Sequence, residues 1–266
     1  MSVIYEPRGR AREYAHLALN LYASVGPDGK EYPAGCVHGC TYCYVPDFMH
    51  IPREIFHGDV RPRRDILNRL RKDAPKFAGT DKRVLLCFAC DPYQPLPPER
   101  DVTRAAIEIL REFDIPFQIL TKGGLRAARD FDLYGPNDAF ATTLTFFGDM
   151  TSLKGEPGAA LSSGRIAAIK MARRMGIQTW ASLEPVVTPM ASWQLIRRTA
   201  DCVDLFKIGK LNHRKSETDW RAFGIRAIEL CEKYGVPYTI KADLAKYLDG
   251  IEFHNTDTRS IKRNGR

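Results

Sequence analysis

No run of the chain approaches the roughly 18 to 20 apolar residues that cross a bilayer. The N-terminus is charged and aromatic (Tyr5, Glu6, Arg8) where a secretory leader would be apolar. Both absences point to a cytoplasmic protein without membrane association. A disulfide framework is also missing: the cysteines number 7, an odd count, and three crowd into one loop, as suits a reducing compartment. Negative charge is the scarcer sign, with 32 Asp and Glu against 40 Lys and Arg and a formal net charge of +8. Arg259, Lys262, Arg263 and Arg266 follow the last acidic residue, so half of the excess lies in a terminal tail and the rest of the chain is only mildly basic. Basic tails are usually solvated ends and sometimes phosphate-binding arms. Arg8, Arg10 and Arg12 add a second basic group and raise the prospect of a DNA or RNA partner.

What is present is ample core: 44% of 266 residues are hydrophobic. Short apolar runs alternate with helical patterns. Strands are predicted at His16 to Tyr22, Arg83 to Cys90, Pro116 to Thr121, Ala139 to Phe146, Ile177 to Leu183, Val203 to Ile208 and Pro237 to Lys241, with a polar excursion over 26–32. Helices are predicted at Asp65 to Lys72, Val102 to Phe113, Leu125 to Leu133, Ser163 to Met175, Ala191 to Ala200 and Trp220 to Tyr234. Such repetition implies a parallel sheet covered by helices, either a barrel or a doubly wound sheet. It reads as a single, monomeric barrel domain over 1–250 followed by a basic tail, 251–266. In barrels of this kind the site is built at the carboxyl ends of the strands.

The chain is organised around Gly35 to Pro46, where Cys36, Cys40 and Cys43 are spaced C-x3-C-x2-C. Thiolates are soft donors that select zinc, copper(I) or iron-sulfur clusters. A four-iron cluster ordinarily takes four cysteines, so three leave one iron open to other chemistry. A zinc site would need a fourth ligand, for which His38 and the Cys87-x2-Cys90 pair are candidates. Cys87 and Cys90 lie in an apolar run read as a buried strand, where residues three apart point to opposite faces.

Polar residues gather at the predicted strand ends: Cys90 and Asp91, Lys122, Thr142, Glu184, and Lys210 to Asn212. A charged small ligand bound at these ends would find a cation in Lys122 and acceptors in Asp91 and Glu184.

The cysteine spacing, with Tyr42 before the third cysteine, resembles the signature of the radical S-adenosylmethionine enzymes. With Asn20 to Tyr22, Asp91 to Pro95, Leu120 to Lys122 and Leu183 to Pro185, the likeness extends to the spore photoproduct lyase-like branch and covers roughly Tyr5 to Asn212. The resemblance implies a partial (β/α)6 TIM-type barrel and a 4Fe-4S cluster on Cys36, Cys40 and Cys43. It also implies S-adenosylmethionine beside Tyr42 (through its backbone), Cys90, Lys122, Thr142 and Glu184. In that family the cofactor is cleaved reductively to a 5'-deoxyadenosyl radical that abstracts hydrogen from substrate, with electrons from a donor such as flavodoxin or ferredoxin. The branch's named enzyme is a lyase that repairs a thymine lesion in spore DNA. This chain departs from it at the hydrogen-donating cysteine, where the count gives Phe88, and alternation turns the adjacent Cys87 away. Three readings follow: radical chemistry on nucleic acid, the same chemistry on a peptide or small metabolite, or a zinc-stabilised nucleic-acid-binding module without catalysis.

Overall fold

The structure, a computed structural model, describes residues 2–256; Arg259, Lys262, Arg263 and Arg266 lie outside them. After a short 3-10 helix (Gly9–Glu13) comes the first strand, β1 (Leu17–Leu19). A three-stranded antiparallel sheet follows, with order β3-β2-β4 and strands β2 (Tyr22–Val25), β3 (Glu31–Tyr32) and β4 (Asp59–Pro62). Between β3 and β4 lie the cysteine loop and two short helices, α1 (Val45–Met49) and α2 (Arg53–Phe56). The predicted single strand over 16–22 is therefore two, belonging to different sheets and separated by Asn20 and Leu21. The predicted polar excursion is a hairpin, and its Pro27-Asp28-Gly29 turn, with Gly29 at φ 80°, is the sequence signal for it.

From there strands and helices alternate: α3 (Ile66–Asp73), β5 (Val84–Leu86), α4 (Thr103–Glu112), β6 (Phe117–Thr121), β7 (Ala139–Thr143), α5 (Asp149–Gly155), α6 (Ser162–Arg174), β8 (Gln178–Leu183), α7 (Pro189–Thr199), β9 (Leu205–Ile208), α8 (Trp220–Lys233), β10 (Tyr238–Ile240) and α9 (Ala242–Ala245). The segment Gly124–Leu133, expected as an α-helix, is a 3-10 helix. Strands β5 and β7 stop earlier than predicted, at Leu86 and Thr143, which places Cys87 to Asp91 and Leu144 to Phe146 in loops. The main sheet is parallel, in the order β1-β5-β6-β7-β8-β9-β10. Neighbours in sequence are neighbours in the sheet, the arrangement of an open β/α barrel.

Alternation sorts every strand into two faces. Leu17, Leu19, Val84, Leu86, Ile119, Phe140, Leu183, Phe206 and Ile208 point outward into the large core shared with the helices. Ala18, Leu85, Ala139, Ala141, Trp180 and Leu205 point inward, where Tyr14, Phe88 and Leu120 pack on them and close the barrel's floor. The N-terminal segment spans the gap between edge strands: Tyr5 pairs with Ala18 of β1, and Glu13 Oε1 accepts from Ala242 N just after β10. At the other edge, Asn255 and Thr256 bond to Ile240 and Tyr238. The start of the expected tail, as far as 256, is thus tied to the sheet.

Candidate active site

The inward parity that fills the floor with alanines brings polar residues to the rim. Lys122, Thr143, Ser182 and Glu184 are the next inward positions of β6, β7 and β8, and they line a cavity of about 270 Å³. Cys36, His38, Cys40, Tyr42, Cys43, Cys87, Cys90 and Asp91 line it from the loops. Thr142 does not: it is fully buried on the outward face, donating to Thr121 O at 3.0 Å, so the strand's parity puts Thr143 where Thr142 was expected.

The cysteine loop is held by its backbone, and the thiols of Cys36 and Cys43 are themselves bonded from the backbone at His38 and Val45. Arg53 of α2 donates to Cys43 O at 2.8 Å and Cys40 O at 2.6 Å, while His57 Nδ1 sits 2.6 Å from Cys36 O. Val37 N donates to Gln94 Oε1 at 2.8 Å. Behind the loop, Thr41 N bonds Gly155 O and Gly158 N bonds His38 O, both at 2.9 Å. Gly158 allows this approach, since a Cβ there would lie 2.3 Å from Val37 O. Gly35 is pressed against β2 in the same way, since a Cβ there would lie 2.8 Å from Ala23 backbone atoms.

Two buried charges brace this wall. Glu156, 1% exposed, pairs with Arg165 at 2.5 Å, accepts the Tyr42 hydroxyl, and lies 4.0 Å from Lys122 Nζ. Burial opposes the Glu156 charge, but Arg165 and Lys122 outweigh it and hold the pKa below the ordinary value. At Lys122 burial opposes the charge, but Cys40, Tyr42 and Glu156 outweigh it and hold the pKa above the ordinary value, and the ammonium also sits over the Tyr42 ring at 5.4 Å. Sequence reasoning missed Glu156, which lies in a Gly-Glu-Pro-Gly turn without periodicity. Arg165 is more legible: it shares the buried face of α6 with Ala168, Ile169 and Ala172, where an arginine must have a partner.

Asp91 lines the cavity, yet its oxygens are engaged. Tyr93 N at 2.8 Å, Thr121 Oγ1 at 2.6 Å and Lys122 N at 2.7 Å all donate to it, so it fixes the end of β6. His38 is not the solvent-facing residue its loop position allowed: it is 1% exposed, with Nδ1 3.6 Å from Asp91 Oδ2 and Nε2 without a partner. Burial pushes its pKa down to about 4. Across the cavity, Glu184 accepts from Tyr14 OH at 2.6 Å, Asn212 Nδ2 at 2.9 Å and the Lys241 ammonium.

Cys87 and Cys90 correct the alternation argument. Because β5 ends at Leu86, they lie on a turn rather than a strand. Asn20 Oδ1 accepts from Phe88 N and Ala89 N at 3.0 Å each, curling the turn so that both cysteines line the cavity with their thiols in hydrogen-bond contact.

The donor set fits an iron-sulfur cluster. Burial raises the pKa of all three loop thiols, so they bind as thiolates only where a cation compensates. Three soft thiolates from one loop can ligate three irons of a cluster and leave the fourth open, whereas a structural zinc would need a fourth protein ligand.

A parallel β/α barrel carrying a three-cysteine loop at its carboxyl rim defines a class of metal-dependent enzyme. Residues 31–203, well over half of the chain, match the family model of the Radical SAM superfamily, and the protein belongs to that superfamily. It is therefore an enzyme whose cofactors are a 4Fe-4S cluster and S-adenosylmethionine, and the zinc-module reading is set aside. No protein of curated function matches the chain. Among solved structures, a cysteine-to-serine variant of spore photoproduct lyase is 14% identical, covering 87% of this chain and 78% of its own at a TM-score of 0.62. A second lyase variant, with bound AdoMet and dinucleoside spore photoproduct, is 16% identical over 85% of this chain and 64% of its own, TM-score 0.58. Streptococcus suis SuiB is 13% identical over 84% and 52%, TM-score 0.59. At these identities the likeness is one of fold. Among the described residues no helix is long and apolar enough to cross a membrane.

Proposed function

We propose that Cys36, Cys40 and Cys43 bind the cluster, that S-adenosylmethionine occupies the cavity beside it, and that the substrate is a nucleic acid. One observation carries the first part: three thiols of one loop, held by Arg53 at Cys40 O and Cys43 O, open on one cavity together with Lys122 at the end of β6. When bound, the cluster and S-adenosylmethionine together supply a reactive carbon radical that takes hydrogen from substrate. The chain's own residues bind, orient and exclude water. Lys122 would offer the cation for the cofactor's carboxylate, the Tyr42 backbone would lie beside the cofactor, and Cys90 lines the wall. Asp91 acts through Lys122 by holding the strand end, and Glu184 is fixed by three donors so that its carboxylate shapes the far wall. Residues 1–250 form the barrel domain that presents this site.

The cavity lining supports a nucleic-acid substrate. Tyr44 and His213, stacked with ring centroids 4.8 Å apart, line it together with Lys210 and with Arg10, which pairs with Asp243, a combination of π-faces and cations that suits an unstacked base and its phosphate. The test is binding of single- and double-stranded oligonucleotides at about 50 mM salt, followed by mass spectrometry of damaged and undamaged strands. Binding that weakens steeply with salt, with 5'-deoxyadenosine formed faster when DNA or RNA is present, is expected. Absence of any binding at that salt would exclude nucleic acid and leave a peptide or small metabolite as substrate.

A further inference from the structure

Between β9 and α8 the chain runs through 209–219 at the carboxyl rim and touches both walls of the cavity. It leaves β9 at Gly209, where a Cβ would lie 2.6 Å from Glu184 Cδ, and Asn212 Nδ2 donates to Glu184 Oε1 at 2.9 Å. One residue later it reaches the cysteine side: the His213 ring stacks on Tyr44 with an interplanar angle of 18°, and Arg214 donates to Thr41 O, between Cys40 and Cys43. His213 makes that step in the left-handed region, at φ 62°, a conformation that a non-glycine residue keeps where its surroundings impose it.

The segment is thus a strap across the cavity, and its side chains are cationic. Lys210, His213, Arg214 and Lys215 fall close together, and the first acid after them is Glu217. Lys210 donates to Leu211 O at 3.2 Å and faces the Trp220 and Tyr247 rings at 5.3 and 5.8 Å, Arg214 is bonded to Thr41 O, and Lys215 is exposed. Among the described residues these three charges are not spent on carboxylates. The N-terminal cations nearby are more engaged: Arg10 pairs with Asp243, and Arg12 Nε donates to Pro7 O at 3.1 Å. A row of cations beside a stacked ring pair matches a nucleic-acid strand, in which phosphates alternate with planar bases. An acidic peptide offers carboxylates but no planar face for His213 and Tyr44. Because the strap lies across the cavity, a base reaches the interior only when it is out of its duplex stack.

We propose that the strap over 210–215 is the recognition element for an unpaired nucleic-acid strand. Lys210 and Lys215 hold backbone phosphates, His213 with Tyr44 stacks a base, and Arg214 ties the strap to the cysteine loop so that the base arrives beside the thiols. The inference rests on the nucleic-acid reading above, and its test tells the two apart.

Fluorescence anisotropy of labelled single strands and duplexes of equal length is followed with the full chain, from about 50 mM salt upward, with polyglutamate as competitor. Wild type is compared with Lys210→Gln/Lys215→Gln, Lys215→Gln, His213→Ala and a charge-matched control, Arg197→Gln/Arg198→Gln, exposed at the end of α7. Melting curves establish that each variant is folded, and the exposed Lys215→Gln alone decides the outcome should the double variant unfold. Wild type is expected to prefer single strands by about tenfold, and the lysine pair to weaken that binding and flatten the log-log salt slope by about 0.7 per lost contact. His213→Ala should lose the preference for single strands and keep the slope, with the control behaving as wild type. Wild-type affinity and slope in the lysine variants, equal loss in the control, tighter binding of duplex by wild type, or polyglutamate competing as well as a single strand would each overturn the proposal. A wild type that binds neither strand form would refute the nucleic-acid reading itself and the strap's role with it.

Discussion

The two walls of the cavity are built from similar residues and finished differently. On the Glu184 side the charges are closed on one another: the carboxylate takes Tyr14, Asn212 and Lys241, and Lys241 in turn lies over the Tyr14 ring at 4.1 Å. On the cysteine side three reduced cysteines line the cavity with a buried His38 Nε2 that has no partner. Buried polar groups in proteins are paired unless function needs them otherwise. The difference is the one the proposed site calls for, a closed wall as scaffold and an open one to receive the cofactors.

Several substitutions break or sharpen that contrast. The largest effect is expected from Cys36→Ala, Cys40→Ala or Cys43→Ala, each of which should abolish the absorbance near 400 nm and all bound iron. Cys202→Ala and Cys231→Ala, buried in the outer core, should retain both. A full cluster in Cys40→Ala would put the ligands elsewhere. Next is Glu156→Ala, which strands Arg165 in the interior. Stability should fall by about 3 to 5 kcal/mol in urea unfolding, and a change under 1 kcal/mol would mean that water relieves the pair.

Lys122→Met should leave iron content intact while weakening S-adenosylmethionine binding by about 1.5 to 3 kcal/mol, or roughly 10- to 150-fold, in calorimetry. Unchanged affinity would move the carboxylate site off β6. The smallest effect lies far from both walls. At Asp73 burial opposes the charge, but bonds from Lys76, Ser2 and Val3 N outweigh it and hold the pKa at about 2. A folded pKa below the unfolded one contributes stability that is complete above pH 4 and lost as pH falls toward 2. Thermal unfolding should show wild type losing about 1 to 2 kcal/mol across that window relative to Asp73→Asn; parallel curves would remove Asp73 from the account.

Much of this molecule was legible in its sequence because its signals are local. The cysteine spacing, the strand and helix periodicities and the lysine closing β6 each depend on a few adjacent residues. What was not legible depends on contacts distant along the chain. Glu156 meets Tyr42 across 114 residues, and Asn20 turns the Cys87–Cys90 segment from 68 residues away. Thr142 failed for a subtler reason: a motif fixes the strand end only to within a residue, and one residue reverses the face.

The most direct test of the central claim is anaerobic reconstitution of the wild-type protein with iron and sulfide, followed by reduction with dithionite in the presence of S-adenosylmethionine. About four irons and four sulfides per chain, with 5'-deoxyadenosine released even without substrate, is the predicted result. A chain that takes up a single zinc in place of iron, or a full cluster that yields no 5'-deoxyadenosine, would contradict it.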